Sequence, residues 1–121
     1  MKTVIALLLV TCAIGCGNDD SYCPSGADYY GSKGVEDWCA TTNADGQTVR
    51  HGPYREWWES GQLKTEGQYT NGTKTGYWRY WYSDGQPHQT GSWNEHGEKC
   101  GLFVTYDDAG SVIDETWYDA C

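Results

Sequence analysis

Residues 52–72 read GPYREWWESGQLKTEGQYTNG, and the same pattern returns twice further along the chain. Residues 76–97 read GYWRYWYSDGQPHQTGSWNEHG, and residues 101–121 read GLFVTYDDAGSVIDETWYDAC. Two columns of glycines keep spacings of 24 and then 25 residues, namely Gly52, Gly76 and Gly101, and Gly61, Gly85 and Gly110. A period of this length is typical of stacked supersecondary units, none of which buries its apolar face alone.

Each copy is predicted to form a β-hairpin, because a pair ending in glycine separates two runs rich in aromatic and β-branched residues. The predicted two-residue turns are Ser60-Gly61, Asp84-Gly85 and Ala109-Gly110. The resulting register places Tyr54 opposite Gly67, Trp78 opposite Gly91, and Phe103 opposite Thr116. A ring across from a glycine covers backbone that the glycine leaves bare, so we expect each ring to cover its facing partner.

Asn71-Gly72 supplies a further predicted turn between the first two hairpins. Hairpins joined in this way form an antiparallel meander. The predicted fold class is therefore all-β, an elongated single sheet of tandem hairpin repeats, with no helices expected in the mature domain.

Two aromatic columns are the candidate binding residues: Tyr54, Trp78 and Phe103, and Trp57, Trp81 and Tyr106. Their members lie three residues apart, so on regular strands the columns point to opposite faces of the sheet. We expect one column to be buried and the other to be exposed. The preferred assignment buries Trp81 and exposes Trp78, although the sequence leaves the reverse open. The exposed column either braces a thin sheet or offers platforms to a protein partner or to sugar rings.

The spacing of glycines and aromatic residues from Gly52 to Tyr118 resembles the MORN-repeat variant of bacterial proteins, some of which carry an antitoxin-like family name. The resemblance rests on the pattern G-x-[aromatic]-x-x-[W/Y]-[aromatic]-x-x-G-x-[apolar], followed by G-x-[aromatic]-x-N-G. It implies stacked hairpins and a binding or scaffolding role. It implies no catalytic residues.

The chain begins with features of an export signal. Lys2 precedes the apolar run Val4–Val10, which is too short to span a bilayer as a final structure. Ala13-Ile14-Gly15-Cys16 resembles a bacterial lipobox, which predicts a lipoprotein signal peptide over residues 1–15 and lipidation of Cys16. The alternative is an ordinary signal peptide that leaves Cys16 as a free thiol. The predicted location is lipid-anchored in the bacterial cell envelope, with the outer membrane as the expected site.

C-terminal to the predicted signal peptide, the sequence predicts a Gly/Ser/Asp-rich tether over residues 16–34 and a degenerate leading hairpin over residues 35–51. Three repeats are predicted to follow, over residues 52–75, 76–100 and 101–121. If Asp45-Gly46 is the turn of the leading hairpin, Cys39 lies opposite Gly52.

Of the six cysteines, Cys12 would leave with the signal and Cys16 would carry the lipid, so four remain in an oxidising compartment. Three pairings are open. Proximity favours Cys23 with Cys39 and Cys100 with Cys121. Zinc is disfavoured because no C-x-x-C spacing occurs, and no metal site or cofactor is predicted.

Charge and composition further restrict the classes of function that the chain can have. The formal charge is −9, and loss of Lys2 would leave 7 cations against 17 acids, or −10. Such a chain lacks the basic patch that nucleic acid requires, and anionic lipid headgroups would repel it. Catalysis is disfavoured because a meander offers a ribbon and not a cleft for paired carboxylates. The expected function is a non-catalytic envelope lipoprotein that binds a protein partner. The alternative is a glycan-binding surface lipoprotein.

Overall fold

A computed structural model describes residues 22–32 and 34–121 of the chain. These residues form one antiparallel sheet of eight strands, in which each strand pairs with the next along the chain. The strands are β1 (Asp28–Ser32), β2 (Glu36–Thr42), β3 (Thr48–Trp57), β4 (Leu63–Thr70), β5 (Thr73–Trp81), β6 (Pro87–Trp93), β7 (Lys99–Tyr106) and β8 (Val112–Asp119). The predicted all-β meander is confirmed, and the described residues contain no helix. The predicted signal peptide and the predicted lipidation site Cys16 lie outside the described residues.

The turns within the repeats are one residue longer than predicted. Between β3 and β4, the N–H of Gly61 donates to the carbonyl of Trp58 and the N–H of Trp58 donates to that of Gln62, both at 2.8 Å. This is a three-residue loop whose last residue, Gly61 at φ +92°, adopts the left-handed conformation. The two-residue turn predicted at Ser60-Gly61 is therefore wrong. A bulge between Glu56 and Trp57 restores the predicted register beyond the loop.

The same pair of backbone hydrogen bonds closes the loops that contain Gly46, Gly85, Gly97 and Gly110. Side chains reinforce several of these loops. Asp107 Oδ1 accepts the N–H groups of Ala109 and Ser111, as Asn94 Oδ1 accepts those of its own loop. The turn at Asn71-Gly72 is of the predicted two-residue kind, with φ +47° and +87°.

The segment predicted as a tether contains a strand. β1 pairs with β2 over five residues, with Tyr29 opposite Cys39. A link between Cys23 and Cys39, with Cα atoms 5.6 Å apart, holds the preceding segment against β2. The predicted tether therefore does not extend to residue 34, because β2 offers an edge that residues 28–32 can pair with.

The leading hairpin and the first repeat share a strand, since β3 runs from Thr48 to Trp57. Cys39 lies beside Gly52 at a bulge between β2 and β3, where a Cβ built on Gly52 would be 3.2 Å from that of Cys39. At the other end, the structure links Cys100 to Cys121 with Cα atoms 4.9 Å apart. Both links join cysteines that proximity along the chain favours.

The core is a single row of rings on one face of the sheet, and it consists of the first aromatic column. Trp78 is 1% exposed, Phe103 4% and Tyr54 8%. Trp81 is only half-buried, so the preferred assignment of the two columns is wrong and its reverse is correct. The row is completed by edge-to-face neighbours. Tyr69, for example, lies 5.6 Å from Tyr54 and 5.2 Å from Trp78 between ring centres.

The rings cover glycines of the preceding hairpin and not the glycines of their own hairpin. The predicted cross-strand pairs Tyr54–Gly67 and Trp78–Gly91 are present. However, a Cβ built on Gly67 would be 2.1 Å from the ring of Trp78, and one built on Gly91 would be 2.3 Å from that of Phe103. A bulge produces this offset, because Gly67 of β4 faces three residues of β5. Each ring therefore joins its own repeat to the one before it.

Candidate binding surface

We call the side that carries Tyr54, Trp78 and Phe103 the covered face, and the side that carries Trp57, Trp81 and Tyr106 the open face. On the covered face a column of cations, Arg50, Lys74 and Lys99, follows the same spacing of 24 and 25 residues. Lys74 Nζ lies 4.3 Å from the ring centre of Trp78 and 5.2 Å from that of Trp93. It also donates to the Tyr80 hydroxyl at 2.6 Å. Burial lowers the pKa of Lys74 and raises that of Tyr80.

The other two cations occupy equivalent aromatic surroundings. The Arg50 guanidinium lies 5.0 Å from the rings of Trp38 and Tyr54. Lys99 Nζ lies 4.9 Å from the ring of Phe103 and 5.2 Å from that of Tyr118. Cations over aromatic faces are attracted by the ring quadrupole. These three cations were not among the predicted site residues, although basic residues at the repeat spacing are a signal that the sequence contains.

The covered face is thus closed by the protein's own side chains. Burial raises the pKa of Tyr54 to about 12, which is the behaviour of a core hydroxyl and not of an exposed one. Of the six candidate binding residues, Tyr54, Trp78 and Phe103 are buried with their rings packed. The other three, Trp57, Trp81 and Tyr106, are partly exposed.

On the open face, Trp57, Trp81 and Tyr106 are all half-buried. The guanidinium of Arg55 lies 5.4 Å from the Trp57 ring, and that of Arg79 lies 5.2 Å from the Trp81 ring. In the third repeat the equivalent of these arginines is Val104. The open face is therefore lined by aromatic rings and arginines in its first two repeats and by apolar side chains in its third.

A row of charges crosses the open face. Asp37, Arg55, Glu66 and Arg79 are successive cross-strand partners on β2 to β5, with alternating sign. Arg55 Nη2 lies 3.3 Å from Asp37, and Arg79 pairs with Glu66. Tyr22 extends the packing, because its ring lies 4.5 Å from the Arg55 guanidinium. Both pairs keep partial contact with solvent, and surface pairs contribute about 0–1 kcal/mol each, so the row organises the surface more than it stabilises the sheet.

Hydrogen bonds between repeats hold the loop ends of this surface. Trp58 Nε1 donates to the carbonyl of Trp81 at 3.1 Å, and the Tyr82 hydroxyl donates to that of Tyr106 at 2.8 Å. Trp58 and Tyr82 are equivalent in the repeat, and so are the two acceptors. The bond therefore recurs and fixes one hairpin against the next.

The exposed large apolar side chains on β5 to β8 of the open face include Tyr77 (57%), Leu102 (45%) and Trp117 (67%). Leu102 and Trp117 are direct cross-strand partners. None of these three residues was among the predicted site residues, because they do not belong to the aromatic columns that the repeats keep. Each of these residues either precedes a residue of the buried column or pairs with one that does. Because side chains alternate along a strand, these positions indicate the face opposite the buried column.

Two carboxylates of the repeats, Glu56 and Asp84, have structural partners. Glu56 bonds Lys64 at 2.7 Å, and Asp84 accepts the N–H of Gln86 in its loop. Within residues 22–32 and 34–121, no three His, Cys, Asp or Glu side chains are grouped closely enough to hold a metal ion. No helix in that part of the chain is long and apolar enough to cross a membrane.

Comparison with protein families identifies MORN repeat variants at residues 50–71 and 74–95. Residues 50–95 thus contain two MORN-type repeats. The two matches correspond to β3–β4 and β5–β6, and they begin at Arg50 and Lys74 of the cation column. The third repeat is not matched, yet the structure builds it with the same ring-over-glycine contact. A search of curated proteins and a search of solved structures each gave no match.

Proposed function

We propose that this chain is a non-catalytic binding or scaffolding protein that presents the open face of its hairpin sheet to a protein partner. The observation that carries the proposal is the asymmetry of the two faces. The covered face uses its rings and cations internally, whereas the open face keeps half-buried rings beside arginines and exposed apolar groups. Aromatic residues and arginine are the side chains enriched where proteins contact each other.

The arrangement of the arginines favours a protein partner over a glycan. A sugar ring would need a free aromatic face on which to stack. Arg55 and Arg79 lie over the rings of Trp57 and Trp81 and occupy part of that surface. They also offer donors that suit carboxylates and carbonyls of a protein. The glycan alternative draws its support from Tyr106, whose repeat has Val104 where the others have arginine.

We further propose that the protein acts at the bacterial cell envelope, held there by a lipid on Cys16. The support is the apolar run that ends at Ala13-Ile14-Gly15-Cys16. Cys16→Ala should move the protein from the membrane fraction into the exported soluble pool. An unchanged membrane fraction, or a mature N-terminus at another residue, contradicts the anchor without affecting the proposed surface.

The surface is tested by affinity capture from solubilised envelope with wild-type protein and with a Trp57→Ser/Trp81→Ser double variant. We expect specific proteins to bind the wild type and to be lost from the variant. Gln89→Ala is the matched control, because Gln89 is half-buried on the covered face and bonds only Thr105. Equal capture by all three proteins would contradict the role of the open face. Retention on cell-wall polysaccharide, lost in the double variant, would support the glycan alternative.

A further inference from the structure

We propose that the outer edge of β8 binds a basic, extended segment of a partner protein, which adds a ninth strand to the sheet. This inference rests on the proposed function and names a second part of the binding surface together with the chemistry of its partner. Within the described residues, β8 has β7 on one side and no strand on the other. A strand edge of this kind presents N–H and C=O groups that an extended chain can pair with.

The two edges of the sheet differ in what they offer. β1 has five residues and includes a glycine, whereas β8 has eight residues with the sequence VIDETWYD. On β8, Trp117 is 67% exposed and Ile113 62% exposed. The fold gains little from these side chains, since the buried ring of this hairpin is Phe103. Trp117 Nε1 donates to Asp119 at 3.0 Å, which holds the indole at the edge.

The negative charge of the last hairpin favours a basic partner segment. Residues 99–121, which include both strands of this hairpin, contain five acids and one cation, Lys99 on β7. Three of the acids, Asp114, Glu115 and Asp119, lie on β8 itself, and strand alternation distributes them over both faces of the sheet. A strand that pairs with β8 would place its side chains beside these carboxylates and beside Trp117. The segment that fits combines lysine or arginine with an aliphatic or aromatic residue opposite the indole.

The same charges exclude a second copy of this chain. Two β8 strands paired antiparallel would bring the acids of one copy next to those of the other, and like charges on facing strands are destabilising. Acidic residues on an edge therefore prevent pairing between copies while they attract a basic strand.

The probe is a synthetic peptide in which lysine alternates with valine and tyrosine, added to the full exported chain with its disulfides intact. We expect saturable binding by calorimetry and slower amide hydrogen exchange in β8. Two control peptides should not bind: one with glutamate in place of lysine, and one with proline at alternate positions, which lacks the N–H groups for strand pairing.

Trp117→Ser, and separately Asp114→Asn with Glu115→Gln, should each weaken binding at least about tenfold. Val35→Ser is the control, because Val35 is 58% exposed but lies between β1 and β2, at the other end of the sheet from β8. It should leave the affinity unchanged. All of these side chains are exposed, so the variants should fold normally.

Unchanged affinity in the Trp117 or the acid variants, or protection of β5 amides in place of β8, would overturn the inference. So would a dimer of the protein alone that Trp117→Ser dissociates. The outcome is independent of the test of the open face. Loss of envelope partners in the Trp57→Ser/Trp81→Ser variant supports the proposed function even if the basic peptide fails to bind β8.

Discussion

Trp78 and Trp81 lie three residues apart on β5, and the structure places them in opposite environments. Trp78 is buried under the cation of Lys74 and covers Gly67 of the neighbouring hairpin. Trp81 is half-buried beside Arg79 on the other face. A sheet with no helix layer has to cover one of its own faces, and here short-range contacts between repeats do so. The comparison teaches that aromatic density alone does not identify a binding surface.

The largest difference between the two faces is expected when the indoles of Trp78 and Trp81 are removed one at a time. Trp78→Ala should lower the free energy of unfolding by about 3–5 kcal/mol, because it leaves a cavity in the row of buried rings. Trp81→Ala should cost about 1–2 kcal/mol, since its ring is already partly hydrated. Urea denaturation followed by circular dichroism measures both. Equal losses for the two variants would show that both faces are core.

The ring-over-glycine contact is tested at Gly67, whose backbone φ is compatible with alanine. Gly67→Ala should cost about 1–3 kcal/mol, because its methyl group would overlap the ring of Trp78. Thr116 holds the equivalent position in the third repeat, where no later repeat follows within the described residues. Thr116→Ala should cost less than about 1 kcal/mol. A harmless Gly67→Ala substitution would mean that the hairpins are not locked by this contact.

The buried hydroxyl of the covered face predicts a pH effect. Burial raises the pKa of Tyr54 in the folded chain to about 12 from 10.0, so the folded state holds this proton more tightly than the unfolded state. The resulting stability is present below pH 10 and is lost as the pH rises from there through about 12. At pH 11 the wild type should therefore have lost about 1 kcal/mol of its unfolding free energy through this group, and Tyr54→Phe should not show that loss.

The measurement is the difference in unfolding free energy between wild type and Tyr54→Phe at pH 8 and at pH 11. Lys74 acts in the opposite direction, because its pKa is lowered by burial, but it is common to both proteins and cancels. A difference that does not change with pH would place the Tyr54 hydroxyl in water.

The smallest effect is expected on the open face. Arg79→Gln removes the cation beside Trp81 and its pair with Glu66, both partly exposed. We expect a change in stability below about 1 kcal/mol, with weaker capture of envelope proteins. A large loss of stability would show that the charge row braces the sheet, and unchanged capture would argue against a role of this arginine in binding.

The repeat and its register could be predicted because the glycine and aromatic columns recur at a fixed spacing. The predicted pairs Tyr54–Gly67 and Trp78–Gly91 are correct because a bulge in each hairpin offsets the extra residue of its loop. Which face is buried could not be predicted, since both columns are aromatic and equally regular. That choice depends on bulges at Gly67 and Gly91, which direct each ring over the preceding repeat, and a bulge has no strong signal in a single sequence.

The candidate site was predicted only in part for a related reason. The second column, with Trp57, Trp81 and Tyr106, was included among the candidates. The exposed Trp117 was not, because a side chain that serves no repeated contact leaves no periodic signal. Strand β1 was missed because its pairing depends on the link from Cys23 to Cys39, which brings a segment without apolar alternation against β2.

The positions of the two disulfides also determine how the sheet would carry a mechanical load. A pull applied at Cys23 passes through the sulfur bridge to Cys39 in the middle of β2, so β1 and the loop before it bear no tension. A pull applied at Cys121 passes to Cys100 at the start of β7, and β8 is likewise relieved. Tension then falls on the strands between Cys39 and Cys100, where each ring closes over the previous hairpin. A protein held at one end and bound at the other would keep both of its edge strands in place under force.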